Sequence, residues 1–294
     1  MHVKPYLTFE QQVNLLQTRG LVVDDIRLAQ DILASINYCR FTGYALAFME
    51  TPERFKAGVT FDHVFQVIRF DEKLRDLLAI ALECIEIDFR TTFAYQHSMR
   101  YNVLGYTDSR NFCDPQKHSS VLEKVEQEIA NSKEKYIQHL RLEYGNVPVW
   151  AMVEVVSFGS IVRMFRSMPK GDQPHIARRY AMKSDILGSY IQHISVVRNM
   201  CAHHSRLWDK IFYGVRPLNH WRKANLPVVD TQHLFHTLLL VYRLTQHIPA
   251  VYFDRTAWRY DLIALLKEFQ KLPNCNTFEI MGIPANGFED VWWE

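Results

Sequence analysis

Residues 191–209 read IQHISVVRNMCAHHSRLWD, and this stretch decides both the fold class and the place where chemistry belongs. Upstream, Ser184 is placed to cap a helix with Asp185 in its first turn, and Leu187, Tyr190, Ile191, Ile194, Val197 and Cys201 then recur at helical spacing. The pattern is that of an amphipathic helix with one buried stripe. At roughly 100° per residue, Gln192, Asn199 and His203 fall on the opposite face with Ser195 nearby. Arg198 falls at the edge of the stripe, close to Ile191 and Ile194, where a permanently charged guanidinium is costly unless it is paired or faces a partner surface.

The same helical period extends in both directions. Thr8 with Glu10 and Gln11 forms a capping box for a helix that Gly20 ends, and Asp24 or Asp25 starts a second helix through Ile36. Tyr38, Phe41, Tyr44 and Phe48 continue at helical spacing despite Gly43, an aromatic stripe that reads as core rather than as a base-stacking platform. Thr60 to Tyr101 reads as one or two long helices. Its acids Glu83, Glu86 and Asp88 lie close to core-facing positions, with Arg75 and Arg90 near enough to make salt-bridged helix faces a better account than a metal site. Residues 102–118 form the clearest loop, separating an N-terminal half (1–101) from a C-terminal half (119–294) of one helical unit spanning 1–294.

Beyond that loop, Ser119 or Ser120 is expected to cap a charged helix to about Tyr144, which Gly145 terminates. Val147 to Met168 carries Trp150, Val153, Val156, Phe158 and Ile161 with Glu154 in the middle, an acid that wants a cationic partner which the helix bearing Arg198 could supply. A turn at Pro169 to Pro174 precedes a short basic helix, Ile176 to Met182. After the 191–209 stretch, Gly214, Pro217 and Pro227 mark irregular chain. Two more amphipathic helices are expected at Thr231 to Ile248 and Trp258 to Leu272, then a tail from Asn274 to Glu294 with an aromatic clamp, Trp292 and Trp293. No strand alternation or internal repeat is visible, so the expected fold class is all-α, a multi-helix bundle.

Composition narrows the function. The 294 residues are 48% hydrophobic and 22% charged, enough to bury a sizeable core. The five cysteines (39, 84, 113, 201, 275) have no spacing suited to zinc or to a disulfide framework. No apolar segment follows Met1 and no apolar run approaches the ~18 residues that span a bilayer. A cytoplasmic protein with no metal, no cofactor and no membrane partner is expected.

Net charge is +2, but Arg163 to Lys223 holds twelve Lys and Arg against three acids, and the remainder carries 22 basic and 29 acidic residues. Segment charges of +9 and −7 follow. Such asymmetry suits a surface that attracts a phosphate backbone, although a basic run taken alone is more often a solvated face. Arg163, Arg166, Arg178, Arg179 and Arg206 are the candidate RNA-binding residues within it.

Arg198, Asn199, three residues and His203 resemble the Arg, four to six residues, His signature of the HEPN ribonuclease superfamily. RNMCAHHSRLW is similar to its Abi-like (abortive infection) branch. Further ordered blocks carry the likeness: KPYLTFEQQVNLLQTRGL (Lys4 to Leu21), INYCRFTGYALAF (Ile36 to Phe48), VPVWAMVEVVSFGSI (Val147 to Ile161) and MGIP (Met281 to Pro284).

The resemblance implies a HEPN-like helical core and an RNA-cleaving phage-defence effector or toxin, with Arg198, Asn199 and His203 as catalytic residues and His204 as the rival histidine. Cleavage would use the RNA's own 2′-OH, a histidine to move protons and an arginine to grip phosphoryl oxygens, and would need no metal. Arg198 and His203 lie ~140° apart on an ideal helix. With one motif copy per chain, a homodimer is the expected way to complete the site. The alternative is a non-catalytic RNA-binding or scaffolding protein that holds a structured RNA, and an antitoxin or regulatory RNA is a further expected partner. A bland reading also exists, in which His203, His204 and Arg206 merely complement a helix C-terminus.

Overall fold

The structure is a computed structural model that describes residues 5–218, 229–272 and 275–293. Lys4, the stretch with Arg222, Lys223 and Pro227, Asn274 and Glu294 therefore lie outside the described residues. Within them the chain is helical, as its periodicity predicts, apart from a hairpin of β1 (Met49–Thr51) and β2 (Arg54–Phe55) and one bridge between Val22 and Thr60.

The N-terminal signals act as written. Thr8 and Gln11 close a reciprocal capping box on α1 (Phe9–Thr18), and Asp25 accepts the Leu28 amide to start α2 (Ile26–Ile36). Asn37 then takes a positive φ of 66° and breaks the chain before α3 (Tyr38–Ala45), so the aromatic stripe belongs to a separate short helix. Phe41, Tyr44 and Phe48 are buried and Phe41 stacks on Phe61, in keeping with the core assignment.

The organising element is α4 (Phe61–Tyr101), one unbroken helix of 41 residues, ~60 Å long. Thr60 and His63 cap its start. Its buried side runs Val64, Val67, Ile68, Leu74, Leu78, Leu82, Ile85, Phe89 and Phe93, and helices from both halves of the chain lie against it.

The 102–118 loop is shorter and more ordered than expected. It holds two single 3-10 turns, Gly105–Thr107 and Ser109–Asn111, and Asp114 caps α5 (Pro115–Asn131) ahead of both expected serines. Pro115 at the first helical position explains that early start, because its missing N–H is one the helix leaves unpaired anyway. The expected continuous helix to Tyr144 breaks at Ser132 and resumes as α6 (Lys135–Tyr144), with Gly145 left-handed at its end. Val147 to Met168 likewise divides, at Val156 and Ser157, into α7 (Val149–Val155) and α8 (Phe158–Ser167). Glu128 of α5 causes the second start, accepting the Ser157 amide and the Ser160 hydroxyl.

The expected basic helix is a short α9 (Gln173–Ala177) followed by the 3-10 turn Arg178–Tyr180, stopped by left-handed Ala181. The 191–209 stretch lies on α10 (Ser184–Ala202). Then α11 (Leu234–Leu244), α12 (Arg255–Glu268) and α13 (Thr277–Met281) follow, and Trp292 and Trp293 close on Phe235 and Tyr242 as the expected aromatic clamp.

Among the described residues four histidines are buried in this core: His97, His118, His193 and His236. His97 lies among the rings of Phe93, Tyr101 and Phe112, and neither of its ring nitrogens has a hydrogen-bond partner among the described residues. His193 meets the Thr237 hydroxyl at 2.8 Å. Burial lowers the pKa of His97, His193 and His236 to about 4 each. The unfolded chain binds these protons near pH 6.5 and the folded chain only near pH 4, so the stability they allow is full above about pH 6.5 and is lost as pH falls towards 4. Denaturant titrations at pH 7.5 and pH 5 should show a loss on the order of 1–2 kcal/mol per histidine. His97→Phe, which keeps the ring stack, should flatten that pH slope by about a third; an unchanged slope would contradict the assignment.

Candidate functional site

Helix α10 buries Leu187, Tyr190, Ile191, Ile194, Val197 and Cys201, the expected stripe, between α4, α8 and α9. Its start lies one residue earlier than expected, with Lys183 at the cap and Ser184 inside the helix. Being packed on several sides, it also buries His193 and Ser195, so Ser195 does not stand near the solvent face.

The C-terminal end differs from the ideal helical projection. Regular helix stops at Ala202, and His203 is the cap residue, its amide donating to Asn199 O at 2.9 Å. His204 is left-handed with φ 54°, and the Ser205 amide returns to Met200 O at 2.8 Å. This is the closure that glycine usually makes, here imposed on a histidine. Three contacts from other helices hold it. Arg40 of α3 donates through Nη1 to His204 O at 2.8 Å, Arg206 donates to the Gly43 carbonyl, and the Asp71 carboxylate of α4 accepts the amides of Leu207 and Trp208.

Asp71 is fully buried and also accepts from Tyr44 Oη at 2.6 Å and from the Arg75 guanidinium. Burial pushes its carboxyl up, while Tyr44, Arg75 and the two amides pull it down.

Arg198 is half-buried, its side chain 42% exposed, and its Nε donates to Glu86 Oε2 at 2.8 Å. Its Nη1 reaches Asn199 Oδ1 at 3.4 Å. Glu86 is buried and also takes two donors from Arg90, whose Nη1 in turn donates to the carbonyls of Val156, at 2.9 Å, and Val153 at the end of α7. The expected pairing of Glu154 with the site helix is thus replaced by Glu86; Glu154 is exposed. One carboxylate between two guanidiniums leaves a net positive charge, and Arg198 keeps its outer edge towards solvent.

A cleft of about 1120 Å³ opens beside this chain. Arg198 and His204 line it together with Arg40, Arg75 and Arg90 and with the acids Glu72, Asp76, Glu83, Glu86 and Glu154. Asn199 and His203 are exposed and do not line it. Within one chain, then, Arg198 shares its cleft with His204, while His203 is turned to the outside.

The other basic residues are dispersed. Arg166 bonds Gln192 at 3.0 Å in a second cleft of about 420 Å³ with Lys170 and Arg216; Arg163 reaches Ser160; Arg206 serves the backbone of α3. Arg178 and Arg179 line a third cleft, of about 730 Å³. Sequence reading missed Arg40 and Asp71. For Asp71 a signal existed, an acid four residues before Arg75 on the apolar stripe of α4; for Arg40 there was none, since its partner lies 164 residues away. Among the described residues no group of three or more His, Cys, Asp or Glu is disposed to hold a metal ion, and Asp88 is taken by Arg179 and Tyr180.

Removing Asp71 would leave Arg75 buried and unpaired and would free the chain after His204. Asp71→Ala should therefore cost about 3–5 kcal/mol in denaturant unfolding and should expose residues 203–208 to amide hydrogen exchange; unaltered protection there would contradict this anchoring.

Neither a curated protein nor a solved structure matches the chain. The family model described as Abi-like protein matches residues 31–209, well over half of the sequence. The matched region runs from within α2 to the end of the Asp71 anchor and so contains α3, α4 and α10, the elements that position Arg198, His203 and His204. The chain belongs to the Abi-like protein family.

Proposed function

We propose that this protein is a phage-defence effector of the abortive-infection type that cleaves RNA without a metal, using Arg198 and the histidines that follow α10. The observation that carries this reading is the half-exposed Arg198 guanidinium, fixed by a buried carboxylate that Arg90 also neutralises, at the helix end where His203 and His204 stand. A guanidinium so held offers a preset fork to a phosphate. In the reaction, a histidine takes the proton of the 2′-OH, its oxygen attacks the adjacent phosphorus, and Arg198 stabilises the charge on the phosphoryl oxygens. A second histidine gives a proton to the departing 5′ oxygen.

The outward direction of His203 favours a site completed by a second copy of the chain, with Arg198 and His204 in one cleft and His203 presented across a two-fold axis. Asn199 lies against Arg198 and would orient it. On this reading the protein acts in the cytoplasm as a homodimer on RNA and is restrained by an antitoxin or a regulatory RNA.

One observation favours a second reading. The Arg198 cleft carries five carboxylates against four guanidiniums, which repels a polyanion from its interior and suits a protein that holds structured RNA on its outer surface without cutting it. Turnover separates the two.

Arg198→Ala and His203→Ala should each lower RNA cleavage by about 10²–10⁴-fold with the chain still folded, although Arg198→Ala also removes one of the two partners of the buried Glu86 carboxylate. His204→Ala is compared alongside, and Arg198→Lys should be poor because a point charge lacks the planar fork. Products read by mass spectrometry should end in a 2′,3′-cyclic phosphate and a 5′-hydroxyl in the presence of chelator. Products with 5′-phosphates would overturn the mechanism, as would full activity in a strictly monomeric protein for the dimeric site.

RNA affinity should fall with salt, with a log–log slope of about −0.7 for each phosphate contacted on a single strand. A flat response in a salt titration would remove the electrostatic argument.

A further inference from the structure

The cleft of about 730 Å³ on the C-terminal half of α4 is separate from the Arg198 site and is built differently. Among the described residues its one lining acid, Asp88, is fully engaged: Arg179 grips both carboxylate oxygens and Tyr180 Oη donates to Oδ2 at 2.8 Å. That clamp removes the repulsion an anion would meet and holds the 3-10 turn Arg178–Tyr180 against α4. Arg178, next to the clamp, is exposed, and among the described residues no acid pairs with it. Its neighbour in the lining is His175.

The opposite wall carries Tyr95, 63% exposed on a helix whose inner face is densely packed, and Gln96 beside it. An aromatic face, an amide able both to donate and to accept, and a guanidinium beside an imidazole within one cleft match the three parts of a nucleotide. The base stacks, its edge bonds, and the phosphate pairs with charge. The location is also apt, because the exposed edge of α4 that brings Tyr95 to this cleft carries Ile87 in the Arg198 cleft, eight residues or ~12 Å away.

We propose that this third cleft is a binding site for one nucleotide unit, with the base stacked on Tyr95 beside Gln96 and the phosphate held by Arg178 and His175. The unit is either part of an RNA strand or a free nucleotide, and the site does not depend on cleavage at Arg198.

The test measures binding of a fluorescein-labelled eight-residue oligoribonucleotide and of AMP to the full chain and to four variants. Tyr95→Ala should weaken binding at least about ten-fold and Tyr95→Phe by less than about two-fold, since stacking needs the ring and not the hydroxyl. Arg178→Ala should weaken binding and reduce the salt slope by about 0.7, one phosphate. Tyr260→Ala, which removes a tyrosine of similar exposure (61%) on α12, should change nothing. Tyr95-dependent binding of AMP assigns the site to a free nucleotide, and of the oligomer alone to a strand.

The proposal is overturned if neither ligand binds, if Tyr95→Ala and Arg178→Ala leave both affinities intact, or if Tyr260→Ala loses as much as Tyr95→Ala. An oligomer bound through Tyr95 but never cut would overturn the nuclease reading alone. One cut with no dependence on Tyr95 would overturn this proposal alone.

Discussion

The Asp71 carboxylate is the constraint on which the rest of the site depends. It is buried on α4 and collects the Tyr44 hydroxyl, the Arg75 guanidinium and the amides of Leu207 and Trp208. Those donors come from α3, from α4 itself and from the chain just beyond α10, so one side chain sets the distance between three elements. A buried carboxylate is tolerable only when its lone pairs are filled. That requirement fixes where the chain goes after His204, and hence which way the two histidines face.

A second buried carboxylate, Glu86, does the same for the arginine. Between Arg90 and Arg198 it ties α4 to α10, and through Arg90 it reaches the open carbonyls at the end of α7. Arg198 is therefore neither a loose surface cation nor a fully satisfied core charge. Its inner nitrogen is held and its outer edge is free of carboxylate, a state that limits the rotamers to be ordered when an anion binds. The cost is a cleft rich in acids, which admits a phosphate at the arginine's exposed edge more readily than along its floor.

Basic residues that are one run in the sequence are sorted in space by their partners. Arg206 is spent on a backbone carbonyl, Arg179 on Asp88 and Arg216 on Asp185, while Arg178 remains open. The +9 segment thus supplies a few available cations at distinct clefts rather than one continuous positive face, and its 219–223 end lies outside the described residues.

What the sequence determined by itself is local. The helical period of α4 and α10, the capping box at Thr8, the Asp25 cap and the core role of Phe41, Tyr44 and Phe48 all follow from neighbours within a few residues, where spacing alone decides what shares a face. The helix breaks at Asn37, Ser132 and Val156 were not legible, because no Gly or Pro marks those positions; Asn37 and Ser132 accept amides two residues on with their own side chains, and Glu128 of another helix accepts the Ser157 amide. The site divides along the same line. Its residue types and spacing were visible in RNMCAHH. That Glu86 and not Glu154 holds Arg198, and that His204 enters the cleft while His203 faces out, was decided only by the tertiary structure. Both depend on carboxylates and an arginine more than a hundred positions away whose burial demands partners.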